Sequence, residues 1–502
     1  MDEKQKDGFS RPLSYIENAI SNYAVTGIKL DERVPLEKGK SFMIEKNKSY
    51  IACVEDLTLD GSGVCKIDGF AVFVPMTALG DKIRFKAVKV LKNYGYGILE
   101  EIITPSDDRV QVDCPSFKQC GGCSFRHISY EAELRLKNKS VRDAFQRIGG
   151  FVLEPEPILG APDPEFYRNK AQYPLGIDKN GNAVAGFYAR RSHRIVPTDC
   201  CRIQDRRFAP IVAWILHFIN QYRISVYDER TGKGLLRHIY LRVGRGSGEI
   251  MVCLVSTGKT LPHCRDFIQR LQEQFPQVTS VVLNWNARNT NVILGEEFYT
   301  LCGNETIKDF FLDREFHIAP PAFYQVNKEQ AERLYSLAFD YAEFDGGEFL
   351  LDLYCGIGSI GLSAYSQIES LIGVEVVAPA VESAKINAAL NRAERAEFIC
   401  ADAKKAAAAL AKRKLQPDVI IVDPPRQGCD KEVLQSIVQM APAKVLMVSC
   451  NPSTAARDCK ILSEEGYELV KYRGVDMFPR TGHVETVVLL SKGEIDSKKV
   501  RA

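Results

Sequence analysis

Residues 349–358, FLLDLYCGIG, join an apolar run to a glycine-rich turn, and the helix-like run IGLSAYSQ follows. The same succession of strand, turn and helix continues in LIGVEVV, APAVESAKINAALNRA, EFICAD, DVIIVDPP, KVLMVSC and VETVVLLS. Continuous apolar strands that alternate with helices are typical of a parallel sheet covered on both faces. The pattern predicts an α/β, doubly wound, Rossmann-like domain over residues 321–492.

The chain ahead of this domain changes character twice. Residues 44–104 consist of short alternating runs broken by glycine, such as DGSGVCKIDG and FAVFVP, which predict a small OB-like β-barrel. Residues 105–320 mix strand-like and helix-like runs and indicate an α+β central domain. We expect a polar N-terminal appendage at residues 1–43 and a short tail at residues 493–502.

The composition is that of an ordinary globular protein, with 45% hydrophobic and 26% charged residues among 502. The start, MDEKQKDGF, lacks the apolar stretch of a signal peptide, and no apolar run approaches the roughly 18 residues of a membrane span. We therefore expect a cytoplasmic protein with no membrane association and no obligate protein partner. Its fifteen cysteines then argue against a disulfide scaffold, because the cytosol keeps thiols reduced.

The glycine-rich turn predicts a ligand site. Gly356 and Gly358 let the backbone approach a ligand at the switch point of the sheet, although such a turn alone fits dinucleotide binders equally well. The next strand ends in Glu375, about 20 residues on, where a carboxylate accepts hydrogen bonds from both ribose hydroxyls. The third strand leads to Asp402, placed to meet an adenine amino group. Because the turn has no Lys or Arg for a phosphate, S-adenosylmethionine fits better than a dinucleotide.

Later strands also end in side chains that carry chemistry. Asp423 precedes two rigid prolines, where a methyltransferase would hold both its cofactor and a planar base; alternatively, Asp423 caps a helix. Cys450 ends the strand VLMVS in the crevice where such sheets bind ligands, and we interpret it as a functional thiolate rather than a structural cysteine. His483 and Glu485 share one face at the start of the final strand, so either could accept a proton there.

Four motifs in this order and spacing, LLDLYCGIG, IVDPPRQG, SCNPS and DMFPRTGHVE, resemble those of the RNA uracil-C5 methyltransferases, the rRNA and tRNA 5-methyluridine enzymes. The resemblance runs from about residue 44 to 490, and its barrel is similar to a TRAM domain. It implies that Cys450 adds to C6 of a uridine and makes C5 nucleophilic toward the methyl group. It also implies that Glu485 removes the C5 proton, and that the target base leaves its stack to reach Cys450.

The same resemblance implies which residues surround the two ligands. Around S-adenosylmethionine it places Gln325, Tyr354, Glu375 and Asp423, which join Gly356 and Asp402 from the strand-end argument. Around the target base it places Phe323, as a stacking ring, and again Asp423.

A cysteine cluster, CPSFKQCGGC at residues 114–123, predicts a metal centre. Cys114, Cys120 and Cys123 can converge on one centre, and the fourth ligand is either Cys200 or Cys201. From the residues alone, zinc and an iron–sulfur cluster fit equally well. The resemblance favours a [4Fe-4S] cluster with Cys201 as the fourth ligand.

Cations and aromatic rings predict an RNA partner. Lys82, Arg84 and Lys86 alternate on one strand face, which by itself is more typical of a solvated surface. The runs YRNKAQYP at 167–174 and FYARRSHR at 187–194 add interleaved rings and cations. This mixture suits phosphates and unstacked bases of RNA.

The sequence thus predicts an S-adenosylmethionine-dependent RNA (uracil-5-)-methyltransferase, and the resemblance favours 23S rRNA as the substrate. Transfer RNA is the alternative substrate. A non-catalytic RNA-binding assembly protein is a third possibility, against which the cysteine, the base and the ribose-binding carboxylate argue together. An amino-group methyltransferase is disfavoured because Arg426, rather than an aromatic residue, follows the prolines, and Cys450 would have no role.

Overall fold

The computed structural model describes residues 44–493, which fall into two compact units. Within this range the first unit comprises residues 44–113, 123–154 and 480–482, and the second comprises 114–122, 155–479 and 483–493. The appendage expected at 1–43 and residues 494–502 of the expected tail lie outside the described residues.

The first unit is built on a closed five-stranded barrel. Its strands are β1 (Ser49–Leu57), β2 (Ser62–Ile67), β3 (Phe70–Pro75), β4 (Lys82–Val90) and β5 (Tyr94–Thr104). They follow the order β1-β2-β3-β5-β4, β4 pairs back to β1, and β3 runs parallel to β5. Alternation along β4 buries Ile83 and Phe85 and leaves Lys82, Arg84 and Lys86 exposed. The predicted OB-like barrel is confirmed.

Helix α1 (Tyr130–Ala144) belongs to the same unit and ends in a π-helical turn at Phe145–Gly149. The Ser129 side chain caps its first turn by accepting from the Ala132 N–H, and Gly150, at φ +75°, ends it. The helix also buries an ion pair between Glu133 and Lys137, whose charged atoms are 2.7 Å apart. Ion pairs at this spacing are typical of the solvated face of a helix, so the spacing alone does not predict that this pair is buried.

The second unit contains the remaining elements. Its strands are β6 (Glu156–Leu159), β7 (Lys170–Ile177), β8 (Ala183–Tyr188), β9 (Ile195–Pro197), β10 (Leu236–Val243), β11 (Ile250–Ser256), β12 (Val278–Trp285), β13 (Glu297–Gly303), β14 (Ile307–Phe311), β15 (Arg314–Ile318), β16 (Phe349–Leu353), β17 (Ser370–Glu375), β18 (Ala396–Cys400), β19 (Val419–Val422), β20 (Lys444–Ser449), β21 (Tyr467–Val475) and β22 (Glu485–Lys492).

Its helices are α2 (Phe208–Gln221), α3 (Cys264–Gln274), α4 (Lys328–Ala342), α5 (Ser359–Ala364), α6 (Ala378–Leu390), α7 (Ala403–Lys412), α8 (Lys431–Met440) and α9 (Pro452–Glu464), with a 3₁₀ turn at Tyr365–Gln367. Between residues 44 and 493, no helix has the length and apolar character needed to cross a membrane.

A seven-stranded sheet forms the α+β part of this unit, in the order β13-β12-β11-β10-β7-β8-β9. Phe208 and Ile215 of α2 and Phe267 of α3 are fully buried in its core. Strands β14 and β15 form a separate hairpin. The α+β architecture that the sequence predicts is therefore confirmed.

An eight-stranded sheet forms the doubly wound part, in the order β18-β17-β16-β19-β20-β22-β21-β6. Strand β16 pairs in parallel with β17 on one side and β19 on the other, so the winding reverses there. Strand β22 runs antiparallel to β20 and β21, and β6 adds to the edge beside β21. This is the predicted Rossmann-like sheet, and its switch point lies after β16.

Candidate active site

One edge of the eight-stranded sheet carries most of the residues singled out from the sequence. Tyr354, Asp423 and Cys450 directly follow β16, β19 and β20, and Glu375 is the last residue of β17. These four strands are parallel, so their carboxyl ends lie at the same edge. Glu485 begins the antiparallel strand β22 and therefore starts from that edge too. Doubly wound sheets bind their ligands here.

The glycine-rich turn after β16 is shaped for a ligand. Tyr354, Gly356 and Gly358 have φ values of +70°, +57° and +80°, in the left-handed region. The Gly356 N–H donates to Glu375 Oε2 at 3.1 Å, and the Val377 N–H donates to Oε1 at 2.8 Å. Each carboxylate oxygen is thus fixed by one backbone donor and retains a lone pair for ribose. A Cβ on Gly356 would meet no atom within 4 Å, so open space adjoins the turn.

Gln325 and Tyr354 lie beside this turn. The buried Gln325 is close enough to the Tyr335 hydroxyl to affect the pKa of that phenol, and this hydroxyl lies 3.2 Å from Ser359 Oγ at the start of α5. Tyr354 is within electrostatic reach of Asp402, and burial is the main cause that raises the pKa of its phenol. The structure therefore brings these predicted cofactor residues to the glycine turn.

Asp402 has a structural role as well. It is exposed and caps helix α7, since Oδ1 accepts a hydrogen bond from the Lys405 N–H at 3.2 Å. The second carboxylate oxygen is not used by the cap. Capping and ligand binding are therefore compatible at this position.

Cys450 and Glu485 meet at the end of the β20–β22 pairing. The register pairs Ser449 with Thr486, and the next position along places Cys450 opposite Glu485. Opposed residues of antiparallel strands have Cβ atoms about 5 Å apart. Glu485 is buried, at 6% exposure, whereas Cys450 is half-buried. The thiol and the carboxyl group predicted from separate motifs are therefore neighbours.

Burial and like charges raise the pKa values of this pair. Burial, followed by the charges of Glu485 and Asp423, raises the pKa of the Cys450 thiol to about 11. Burial, followed by Asp423, raises the pKa of Glu485 to about 8, and burial raises the pKa of Asp423 to about 7. Burial and the neighbouring carboxyl groups therefore favour the neutral forms of Cys450 and Glu485 in the free protein.

Arg426 opposes these shifts, and the sequence argument assigned it no catalytic role. Its guanidinium charge lowers the pKa of both Cys450 and Glu485. Its carbonyl oxygen accepts a hydrogen bond from Asn451 Nδ2 at 3.1 Å. This bond joins the loop after β19 to the turn after Cys450. Arg426 Nη2 lies 3.4 Å from Nδ1 of His483, which is exposed and precedes β22, so His483 does not share the buried surroundings of Glu485. In the sequence, Arg426 could have been noticed as the positively charged residue that directly follows the two prolines.

Phe323 lies in the loop of residues 319–327 and is 64% exposed. Arg242 holds this loop by donating from Nη1 to the Ala319 carbonyl at 3.0 Å and from Nη2 to the Ala322 carbonyl at 2.8 Å. An exposed ring on a fixed loop suits base stacking.

Three of the predicted metal ligands, Cys114, Cys120 and Cys201, belong to the second unit and are close enough for their charges to interact. Burial raises the pKa of Cys201 to about 11, and charges on Cys120 and Cys114 add to the shift. Cys123 belongs to the first unit, and Cys200 is exposed. Over residues 44–493, no three His, Cys, Asp or Glu side chains form a ready metal-ion site.

Comparison with known proteins finds similar RNA methyltransferases. A family model described as tRNA (uracil-5-)-methyltransferase matches residues 129–493. An uncharacterized RNA methyltransferase of Halalkalibacterium halodurans is 43% identical over 448 residues, which cover 89% of this chain and 98% of the relative. Another from Clostridium tetani is 41% identical over 452 residues, 90% of this chain and 98% of that protein.

A solved structure has the same architecture. The Pyrococcus abyssi tRNA (uracil-54, C5)-methyltransferase, in complex with S-adenosyl-L-homocysteine, gives a TM-score of 0.72 at 29% identity. The match covers 88% of this chain and 100% of that one. The chain therefore belongs to the tRNA (uracil-5-)-methyltransferase family and is an S-adenosylmethionine-dependent RNA (uracil-5-)-methyltransferase.

Proposed function

We propose that this enzyme methylates C5 of a uridine through a covalent adduct between Cys450 Sγ and C6, and that Glu485 removes the C5 proton. The observation that carries the proposal is the placement of Cys450 opposite Glu485 at the ligand-binding edge of the sheet. A structural cysteine needs no buried carboxyl group beside it.

The chemistry needs both groups. When the Cys450 sulfur bonds to C6, the electrons of the C5–C6 double bond move toward C5 and O4, and C5 becomes nucleophilic. S-adenosylmethionine would supply the methyl group to that carbon. Glu485, as a carboxylate, then takes the C5 proton; the electrons left behind restore the double bond and expel the Cys450 thiolate.

The two groups must first lose their protons, because Cys450 and Glu485 have raised pKa values in the free protein. Arg426 stabilises the anionic form of each. We propose that Arg426 supports the thiolate as RNA fills the site and excludes water.

The remaining site residues are proposed in the roles that the sequence predicts. Around the cofactor these are Gln325, Tyr354, Gly356, Glu375, Asp402 and Asp423, and around the base Phe323 and Asp423. The open space at Gly356, the two fixed oxygens of Glu375 and the exposed ring of Phe323 support them.

We further propose that Cys114, Cys120, Cys123 and Cys201 hold a [4Fe-4S] cluster. The proximity of Cys114 and Cys120 to Cys201, which contributes to the raised pKa of Cys201, supports this assignment, and Cys123 follows from the motif spacing alone. The methyl transfer needs no electron, so the cluster would fix the loops that carry its ligands. Iron and sulfide analysis of anaerobically purified protein tests this, and bound zinc would contradict it.

The proposed substrate is 23S rRNA, with the barrel acting as a TRAM domain in RNA binding and the enzyme working alone in the cytoplasm. Transfer RNA is the second candidate, favoured by the family description and by the substrate of the Pyrococcus abyssi enzyme. Unmodified transcripts of both RNAs, each incubated with the enzyme and S-adenosylmethionine and then digested to nucleosides, separate the two candidates.

The test of the reaction uses the same assay with three variants. We expect 5-methyluridine from the wild type and none from Cys450→Ala. Glu485→Gln should accumulate RNA covalently bound to protein, because methyl transfer precedes proton removal. Cys400→Ala is the matched control, since Cys400 is an exposed cysteine that ends β18 at the same sheet edge. Full activity of Cys450→Ala would contradict the proposal, and no methylation of any RNA would favour the assembly-protein alternative.

A further inference from the structure

Three cations meet on neighbouring strands of the seven-stranded sheet. Lys170 begins β7 and stands opposite Arg242 of β10 in the antiparallel register, and Arg168 precedes it by two residues. The charges of Arg242 and Arg168 both act on Lys170. Arg242 is only 1% exposed.

The cluster lacks a compensating acid. Within residues 44–493, no carboxylate forms an ion pair with Lys170, Arg168 or Arg242. Burial, followed by the two guanidinium charges, lowers the pKa of Lys170 to about 7. The Arg242 Nε is also buried without a hydrogen-bond partner. Buried charges are normally paired, so a partly buried group of like charges indicates a place for an anion.

The segment that carries these cations is hydrogen-bonded to both sides of the candidate active site. Asn169 donates from Nδ2 to the carbonyl oxygen of Gln325 at 2.9 Å, in the loop of the exposed phenylalanine. Tyr167 donates its hydroxyl to the carbonyl oxygen of Pro479 at 2.9 Å, in the segment that leads to β22. Arg242 also donates to the carbonyl oxygens of Ala319 and Ala322, so an anion held here would lie beside the loop that carries Phe323.

We propose that Lys170 and Arg168 bind a backbone phosphate of the RNA next to the uridine that enters the site, with Arg242 as a fixed cation behind them. The inference rests on the proposed function and deepens it by naming a substrate contact. A guanidinium and an ammonium together match the oxygens of one phosphate. The carboxylate of S-adenosylmethionine is the other anion within the reaction, and the test distinguishes the two sources.

The experiment measures the affinity of the full-length protein for a short oligouridylate over a range of salt concentrations. Lys170→Gln and Arg168→Gln should each weaken binding about tenfold and reduce the slope of log affinity against log salt by about 1. Lys170→Arg, which retains the charge, should restore the slope. Lys179→Gln is the matched control, because Lys179 is an exposed lysine in the turn after β7.

Two further readouts make the result decisive. The affinity for S-adenosylmethionine should be unchanged in Lys170→Gln; a loss confined to the cofactor would overturn the proposal in favour of the cofactor carboxylate. Unchanged salt slopes in Lys170→Gln and Arg168→Gln would also overturn it. Because oligouridylate binding needs no methyl transfer, absence of 5-methyluridine in the other assay would count against the proposed function alone.

Discussion

Cys450 is held in a site that raises its pKa rather than lowers it. Many nucleophilic cysteines stand beside a cation or a helix N-terminus that favours the thiolate. Here burial, followed by two carboxyl groups, favours the thiol, and the charge of Arg426 opposes them. The pKa of the proposed nucleophile is therefore raised in the free enzyme, and we propose that the thiolate forms only in the complex with RNA.

Arg426→Gln should lower the methylation rate at neutral pH and shift the pH–rate profile toward higher pH. Removal of the positive charge raises the pKa of Cys450 and Glu485 further, so a higher pH is needed to form either anion. The wild-type rate should itself rise as the pH increases through about 8, the pKa of Glu485. Single-turnover methylation between pH 6 and pH 9.5 measures both. An unshifted profile in the variant would contradict the assigned role.

Residues at strand ends could be singled out from the sequence, whereas residues whose charges act on them could not. Cys450, Asp423 and Glu485 could be named because a strand end is visible in the hydrophobic pattern. Arg426 and Arg242 could not be assigned these electrostatic roles, because they depend on which charges the fold brings together. The buried pair of Glu133 and Lys137 belongs to the same class.

At the scale of single elements, helix α7 offers a way to separate two roles of Asp402. Asp402→Ser retains a cap for the Lys405 N–H but is too short to reach an adenine, so stability should be unchanged while the KM for S-adenosylmethionine rises several-fold. Asp402→Ala should raise the KM similarly and also lower the free energy of unfolding by about 1 kcal/mol. Denaturant unfolding and cofactor-dependent kinetics measure the two effects. An unchanged KM in both variants would leave Asp402 as a cap only.

A second element, the segment 480–482 of the first unit, is packed tightly. A Cβ on Gly482 would lie 1.7 Å from the carbonyl oxygen of Leu59, so Gly482→Ala must move backbone. Because Glu485, the proposed base, follows three residues later, we expect a methylation rate at least tenfold lower, on the order of the loss from a small misplacement of a catalytic group.

Gly493→Ala is the matched control, since its new Cβ would approach other atoms no closer than 3.4 Å. Rate and thermal unfolding should be recorded together for both variants. A Gly482→Ala protein with the wild-type rate would contradict the positioning argument.

For the whole molecule, the hydrophobic pattern predicted the barrel, the α+β part and the doubly wound sheet, because each has its own periodicity along the chain. The division of the chain into two compact units could not be predicted from this pattern. Residues 480–482, far along the chain, group with the barrel and helix α1, and β6 joins the eight-stranded sheet beside β21. Such long-range pairings leave no local signal in the sequence.

The most direct test of the central claim is to find where the enzyme bonds to RNA. The full-length protein is incubated with S-adenosylmethionine and RNA that contains 5-fluorouridine, whose C5 fluorine cannot be removed as a proton, and the adduct is digested and analysed by mass spectrometry. We expect a methylated fluorouridine on the peptide that contains Cys450, and no adduct with Cys450→Ala. An adduct on any other residue, or none from an enzyme that methylates ordinary RNA, would contradict the account.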